Sequence, residues 1–331
     1  MGIRRKKSLN KTGLAAAGIA GTALAILTLN KIVENNAPKP QYPLGIAPQI
    51  FEWNKDKISY TVSGVGQSII LLHGVYAGAS SYEFRNVFAS LAQKYRVFAL
   101  DLPGFGLSDK KHKTYSSKLY VECILDFALQ VVGGLDQPAF VIASSLGAAF
   151  IIKAAAQRPD LFEKLVFIEP AGIKSLAQKP RIEQKIAQHI LSTPILGQSL
   201  YNALVSASSL RAFLSRQVYW NPAIVSDDMV DMYFAMSHQP GSRLAVANFL
   251  GGNLNADIKE AYESLRQPIF ICWGKNSRLA PFSETEAFLH YNRQAELAIF
   301  DNSCGMPHDE EPLDFAQQVI AWLQSSVSSR F

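Results

Sequence analysis

The 331-residue chain is 48% hydrophobic and 18% charged, which is enough for one large core with an inserted subdomain. Its formal net charge of +5 arises entirely within residues 1–35, which hold six basic residues and one acidic residue, while the remainder balances 26 against 26. The globular part therefore lacks the basic excess that a phosphate backbone attracts, and we do not expect nucleic acid as a partner.

Cysteine and glycine patterns give no sign of a metal or a cofactor. Cys123, Cys272 and Cys304 are too few for a disulfide framework, and no cluster has the ligand spacing of a zinc site. The glycine pairs at 133–134 and 251–252 lack the strand-to-helix context of a nucleotide-binding loop. We expect no metal and no cofactor.

Residues 1–35 are interpreted as a basic region followed by a hydrophobic anchor. Residues 13–29 are uncharged and apolar, follow five positive side chains, and lie at the short end of a bilayer span. A cleaved signal peptide is the alternative, but the Ala23-Leu-Ala25 cleavage pattern falls inside the apolar run. We expect a retained anchor with the globular domain on the non-cytoplasmic side, or else an exported soluble protein after cleavage. Residues 36–48 are expected to be a linker.

The remaining elements alternate between strands and helices. Short apolar or β-branched runs predict strands at 58–62, 68–72, 96–100, 139–142, 164–168, 268–273 and 296–300. Helical periodicity predicts helices at 120–132, 146–157 and 313–323. This order predicts an α/β fold, with a mostly parallel doubly wound sheet built from residues 49–173 and 266–331. Residues 174–265 are helical in pattern throughout, which predicts an inserted helical cap.

The run Val141-Ile-Ala143-Ser-Ser145-Leu-Gly147 has the form of a nucleophile elbow, a strand that turns sharply into a helix with serine at the turn. Such a turn requires small residues two positions before and two after the nucleophile. Ser145 has Ala143 and Gly147 there, whereas Ser144 would have Ile142 and Leu146. The pattern therefore predicts Ser145 as the nucleophile position.

Four segments together carry a family resemblance. They are Leu72-His73-Gly74, Asp101-Leu-Pro-Gly-Phe-Gly-Leu-Ser-Asp109, the elbow at Ser145, and the Pro307-His308-Asp-Glu-Glu-Pro312 run before the last helix. Their order and spacing resemble the α/β-hydrolase fold of cap-containing serine hydrolases, over roughly residues 50–327.

The resemblance implies roles for named positions. The oxyanion of the reaction intermediate would be bound by the backbone amide of Leu146 and by that of Val75 or Tyr76. The catalytic acid normally follows the penultimate strand, where this chain has Ser277. The catalytic base normally precedes the Pro-His pair, where this chain has Gly305. The implied catalytic triad is therefore degenerate.

Two other residues are candidates to substitute for the missing groups. His308 lies three residues beyond the vacant base position and is a candidate surrogate base, although a local hydrogen bond beside Pro307 is the simpler explanation. Glu169 ends the strand after the elbow helix, a place from which some hydrolases of this fold supply their acid. A partner for a cap residue is the simpler explanation of Glu169.

The sequence is compatible with two functions. The first is a membrane-anchored protein with the hydrolase fold but impaired or absent catalysis, which binds a hydrophobic or lipid-like small molecule in the cleft beneath an aromatic-rich cap. The second is an active hydrolase of carboxylic esters or similar bonds that uses Ser145 with a non-standard base such as His308. Protein partners cannot be inferred from the sequence.

Overall fold

The computed structural model describes residues 11–134 and 136–325, with side chains from Leu24 onward. Its central feature is an eight-stranded sheet. The strands are β1 Gln49–Trp53, β2 Asp56–Ser63, β3 Ser68–Leu72, β4 Arg96–Leu100, β5 Ala139–Ser144, β6 Phe162–Ile168, β7 Ile269–Gly274 and β8 Glu296–Phe300.

The strand order is β1-β2-β4-β3-β5-β6-β7-β8, and β2 runs antiparallel to both of its neighbours while β3 to β8 are mutually parallel. This confirms the predicted fold, a mostly parallel α/β-hydrolase sheet. Since parallel strands end at one edge, the segments that follow β3, β5, β6, β7 and β8 meet there. Those segments contain the motifs singled out in the sequence.

Helices cover both faces of the sheet. The α-helices are α1 Lys11–Asn36, α2 Phe88–Ala92, α3 Ser117–Phe127, α4 Ser145–Gln157, α5 Ile182–Ser192, α6 Leu196–Leu204, α7 Ala207–Phe213, α8 Asp227–Ser237, α9 Ser242–Leu250, α10 Lys259–Ser264, α11 Thr285–Tyr291, α12 Pro307–Glu310 and α13 Pro312–Gln324. Short 3₁₀ turns lie at Ser81–Phe84, Pro159–Leu161, Pro222–Ile224 and Phe282–Glu284, and π-turns at Ala128–Val132 and Leu214–Val218.

Two apolar layers form the core. Alternate residues of β3 show the division: Ile70 and Leu72 pack with α3 and α4, whereas Ile69 and Leu71 pack with α2 and α13. The larger layer continues into the segment between β6 and β7, where α5 to α9 form a helical cap. The cap and the sheet edge therefore share one continuous core.

Helix α1 extends through the end of the predicted anchor and contacts the cap. Asn30 is buried, its amide nitrogen donates to the Ile195 carbonyl, and its oxygen accepts from the Ser199 hydroxyl on α6. Among the residues with described side chains, no helix is long and apolar enough to cross a membrane. Most of residues 13–29 lie outside that set, so the anchor stays a prediction.

The close approach of β7 to the loop before α12 gives a test of the fold. A Cβ on Gly274 would collide with the Cys304 carbonyl, so Gly274→Ala should lower the free energy of unfolding by about 2 kcal/mol or more, measured by urea titration. Gly305→Ala is the matched control, because its Cβ would lie 3.4 Å from the nearest atom and should change stability by less than about 0.5 kcal/mol. Equal effects would contradict this packing.

Candidate active site

Ser145 lies at a strained turn between β5 and α4. Its φ is +50°, whereas Ser144 before it is extended with φ −107°. A side-chain-bearing residue in the left-handed region is held there by its surroundings, typically at functional sites. A Cβ on Gly147 would collide with the His73 carbonyl, so the turn needs glycine there to let α4 approach the loop after β3. The geometry is that of a nucleophile elbow with Ser145 at its apex.

The loop after β3 lies directly beside the elbow. A Cβ on Gly74 would lie 3.5 Å from the Ser145 Cβ and 3.4 Å from the Tyr76 ring. His73 is fully buried: its Nε2 accepts from the Leu102 amide at 3.0 Å, which leaves Nδ1 to donate to the Gly74 carbonyl at 2.6 Å. His73 thus shapes the loop. Val75 and Leu146, whose amides the resemblance assigns to the oxyanion, are both buried here.

His308 forms a buried pair with Glu83. Its Nε2 lies 3.4 Å from Glu83 Oε1, and its ring packs against Phe84 and Phe315 with centroid distances of 5.3 and 5.8 Å. Burial opposes ionisation of Glu83, but His308, Ser144 and His73 together keep its pKa below the usual value. The other oxygen of Glu83 accepts from the Gly74 amide at 3.0 Å. His308 is therefore paired with Glu83, and Glu83 in turn binds the loop after β3 through the Gly74 amide.

Glu169 and Ser277 come together at the position of the catalytic acid. Glu169 follows β6, is buried, and has a positive φ of 43°. Its Oε1 accepts from the Gly274 amide at 3.0 Å and its Oε2 accepts from the Ser277 hydroxyl at 2.7 Å. Burial raises the pKa of Glu169 well above its usual range despite these two hydrogen bonds. A carboxyl group thus lies beside the serine that replaces the usual acid.

Gly305 faces this carboxyl group. A Cβ on Gly305 would lie 3.9 Å from Glu169 Oε2 and 3.4 Å from the Val218 carbonyl. A histidine side chain would begin at that Cβ, beside the carboxyl group, which is the neighbourhood of base and acid found in a catalytic triad. Gly305 occupies the position where the resemblance places the catalytic base. It thus lies next to an acid but has no side chain.

The cap is fastened over this position by backbone and side-chain contacts. The Gly305 amide donates to the Val218 carbonyl at 2.9 Å, and the Trp220 amide donates to Glu310 at 2.6 Å. The Arg278 guanidinium donates to the Tyr219 carbonyl at 3.2 Å. These contacts place the backbone of residues 216–220 directly beside the site of the missing base.

A buried charge cluster adds a second attachment between cap and core. Asp309 accepts from Arg85 at 2.6 Å, from Asn86 at 2.6 Å and from the cap residue Tyr219 at 2.5 Å. Asp309 is buried and the Arg85 side chain is 15% exposed, so the ion pair lies mostly out of water. Four polar groups from three segments are thus held in one arrangement.

Tyrosines line the space between the cap and the loop after β3. The Tyr233 ring, on α8, lies 5.9 Å from the rings of both Tyr76 and Tyr82. Burial raises the pKa of Tyr76, Tyr219 and Tyr233, with neighbouring charges adding to or opposing it, so these hydroxyls are neutral near pH 7. The Tyr76 hydroxyl donates to Glu83 at 2.9 Å and the Tyr219 hydroxyl donates to Asp309 at 2.5 Å, and all three hydroxyls are poor bases.

Sequence reasoning placed Ser145, Leu146, Val75, Tyr76, Ser277 and Gly305 in this region, and the structure brings them to one sheet edge. Sequence reasoning missed Glu83, Arg85 and the role of Asp309. The available signal was charge in an otherwise apolar stretch, since Glu83 and Arg85 flank Phe84 just before α2. Their ionisable partners, His308 and Asp309, lie more than 200 residues away, which local patterns do not reveal.

Comparison with known proteins gives one family throughout. Residues 69–318 match the alpha/beta hydrolase family. The chain is 33% identical over 278 residues to the 2-hydroxy-6-oxo-6-(2'-aminophenyl)hexa-2,4-dienoic acid hydrolase of Metapseudomonas resinovorans, which covers 80% of this chain and 86% of that protein. It is similar in structure to a serine hydrolase involved in carbazole degradation, with TM-score 0.65, 23% identity and 84% and 98% of the two chains covered. A membrane phospholipase A gives TM-score 0.65 at 20% identity, over 95% and 96%.

The environment of Glu169 predicts a pH-dependent stability. Because the pKa of Glu169 is raised in the folded state, its contribution to the free energy of unfolding is fully present below the pKa that the residue has in the unfolded chain. That contribution is lost as the pH rises through the pKa of the folded state. Glu169→Gln mimics the protonated acid, so the variant should gain stability relative to wild type between pH 5 and pH 8. Urea titrations of both proteins at pH 5 and pH 8 measure this gain. If the difference in free energy of unfolding between variant and wild type does not change with pH, Glu169 ionises equally easily in the folded and the unfolded chain.

The buried Asp309 cluster predicts a large cost on losing its cation. Arg85→Met leaves the Asp309 carboxylate buried without its counter-ion and should lower the free energy of unfolding by about 3 kcal/mol. Lys275→Met is the matched control, since the Lys275–Asp301 pair is exposed and should contribute less than about 1 kcal/mol. Equal losses in thermal or urea unfolding would show that Asp309 is not held by Arg85 as described.

Proposed function

The chain belongs to the alpha/beta hydrolase family, and we propose that it is a ligand-binding member that keeps the nucleophile elbow and an acid but lacks the general base. The observation that carries the proposal is Gly305, a residue without a side chain that lies beside the Glu169 carboxyl and beneath the cap backbone at Val218.

The chemical argument starts from the weakness of serine as a nucleophile. A serine hydroxyl needs a neighbouring base to take its proton, and the acid then orients that base. Losing the base in other serine hydrolases lowers turnover by about 10⁶. Here His308 is held in a buried pair with Glu83, and the tyrosines nearby have raised pKa values. None of these groups supplies an efficient base to Ser145.

The position of Glu169 refines the predicted degeneracy. The acid position after β7 holds Ser277, but the Ser277 hydroxyl donates to Glu169, which enters the same space from β6. The acid function is retained on a neighbouring strand, and the protein departs from the triad at one group instead of two. The positive φ of Glu169 fits a residue that its surroundings hold in place for a functional reason.

The ligand in this proposal is a hydrophobic or lipid-like small molecule. Tyr76, Tyr82 and Tyr233 offer aromatic surface with neutral hydroxyls beside the elbow. The similar proteins are named for a dienoic acid and for a phospholipase, which fits a ligand with a carboxyl or ester group and an apolar part. The predicted anchor at residues 13–29 would keep the protein near lipid.

Labelling by a fluorophosphonate probe tests this function. Wild type should react no faster than Ser145→Ala, since Ser145 has no base. Gly305→His alone should raise labelling at least about tenfold, because it restores a histidine at the base position beside the Glu169 carboxyl. Intact-mass analysis gives the labelled fraction over time.

Two further variants control that experiment. Gly305→His/Glu169→Gln should lose most of the gain, whereas Gly305→His/Ser277→Ala should retain much of it if Glu169 is the acid. Labelling of wild type that disappears in both Ser145→Ala and His308→Gln would overturn the proposal in favour of an active hydrolase that uses His308. A gain that requires Ser277→Asp would show that Glu169 does not act as the acid.

A further inference from the structure

The outer surface of the cap exposes two parallel apolar stripes. On each of α5 and α6 the apolar residues recur every four positions, a spacing that places them on one side of a helix. They are Ile182, Ile186 and Ile190 on α5, and Leu196, Leu200 and Leu204 on α6. Ile182 is 77% exposed and Leu196 is 65% exposed, far more than a solvated cap requires.

The opposite sides of these two helices are buried in the cap. Leu191 of α5 and Tyr201 of α6 lie in the core, and the Tyr201 hydroxyl donates to the Ser237 carbonyl of α8 at 3.0 Å. An open cavity of about 360 Å³ lies among the isoleucines of α5, with Lys185 and His189 at its border. The stripes therefore face outward, away from the sheet.

Helix α1 extends the same surface. It is bound to α6 through Asn30, and its exposed residues include Leu24, Leu27 and Ile32. N-terminal to Leu24 the sequence stays apolar back to residue 13. We call the exposed apolar surface of α1, α5 and α6 the cap face.

Positive charge borders the cap face on one side, before and at the start of α5. Lys174, Lys179, Arg181 and Lys185 are exposed, and Glu183 is the one acidic residue between positions 174 and 204. This local excess stands out because residues 36–331 have no net charge. Two copies meeting symmetrically through this surface would bring the same basic groups together, which disfavours self-association. Anionic lipid headgroups would instead complement both the apolar stripes and the lysines.

We propose that the cap face docks on an anionic lipid surface, with the isoleucine and leucine stripes at the level of the acyl chains and the lysines among the headgroups. This goes beyond the proposed function, because it assigns a binding surface away from the elbow and needs no membrane-spanning helix. It orients the molecule with the cap towards lipid.

A fluorescent label on the full-length chain tests the proposal. Cys123, Cys272 and Cys304 are buried, so an environment-sensitive NBD label can be attached selectively to Ile186→Cys or Leu200→Cys, with Leu313→Cys on α13 as the matched exposed control. Vesicles of equal phosphatidylglycerol and phosphatidylcholine should brighten the labels at 186 and 200 about twofold or more, and spin-labelled lipid should quench them. The label at 313 should show neither effect.

The other outcomes would overturn the proposal. Unchanged emission at 186 and 200 would show that the cap face stays in water in the presence of anionic vesicles. Brightening that precedes vesicle addition and grows with protein concentration would identify a second copy as the occupant. Lys179→Gln/Lys185→Gln should reduce docking at 186 roughly tenfold on anionic vesicles, and an unchanged signal would contradict the assigned role of charge.

Discussion

The contact that organises this site is the buried Glu169 carboxyl between the Gly274 amide and the Ser277 hydroxyl. It joins the ends of β6 and β7 and lies beside Gly305 of the loop after β8. Because burial raises its pKa, the group is most stable in its neutral form until a positive charge is placed nearby. An imidazolium at position 305 would supply that charge, so the raised pKa of Glu169 and the missing base at Gly305 belong to the same local arrangement.

The cap completes this arrangement. The Val218 carbonyl of the cap accepts from the Gly305 amide. The neighbouring cap residue Tyr219 donates to the buried Asp309, which lies in the same segment as Gly305. The loop that holds Gly305 is thus tied to the cap by a backbone hydrogen bond and by the buried Asp309 cluster. The attachment of the cap therefore depends on a few residues around Gly305 and Asp309, while the apolar stripes of α5 and α6 lie on its exposed outer side.

Much of the fold followed from sequence because its inner strands are continuous apolar runs. The structure gives β3, β4 and β8 the predicted bounds, whereas β1 was missed because Gln49–Trp53 is short and has neither a continuous apolar run nor a regular alternation, and it becomes a strand by pairing with β2. At the site, spacing located Ser145 and Gly305. The Arg85–Asp309 pair spans 224 positions and the Glu169–Ser277 contact 108, and separations of that size depend on how the strands are ordered in the sheet.

The most direct measurement is the titration of the Glu169 carboxyl carbon by NMR, assigned with Glu169→Gln. We expect a pKa well above the usual glutamate range in wild type and a lower one in Gly305→His, where an imidazolium can pair with the carboxylate. An ordinary glutamate pKa in both proteins would contradict the account, because Glu169 would then be neither buried as an acid nor within reach of the base position.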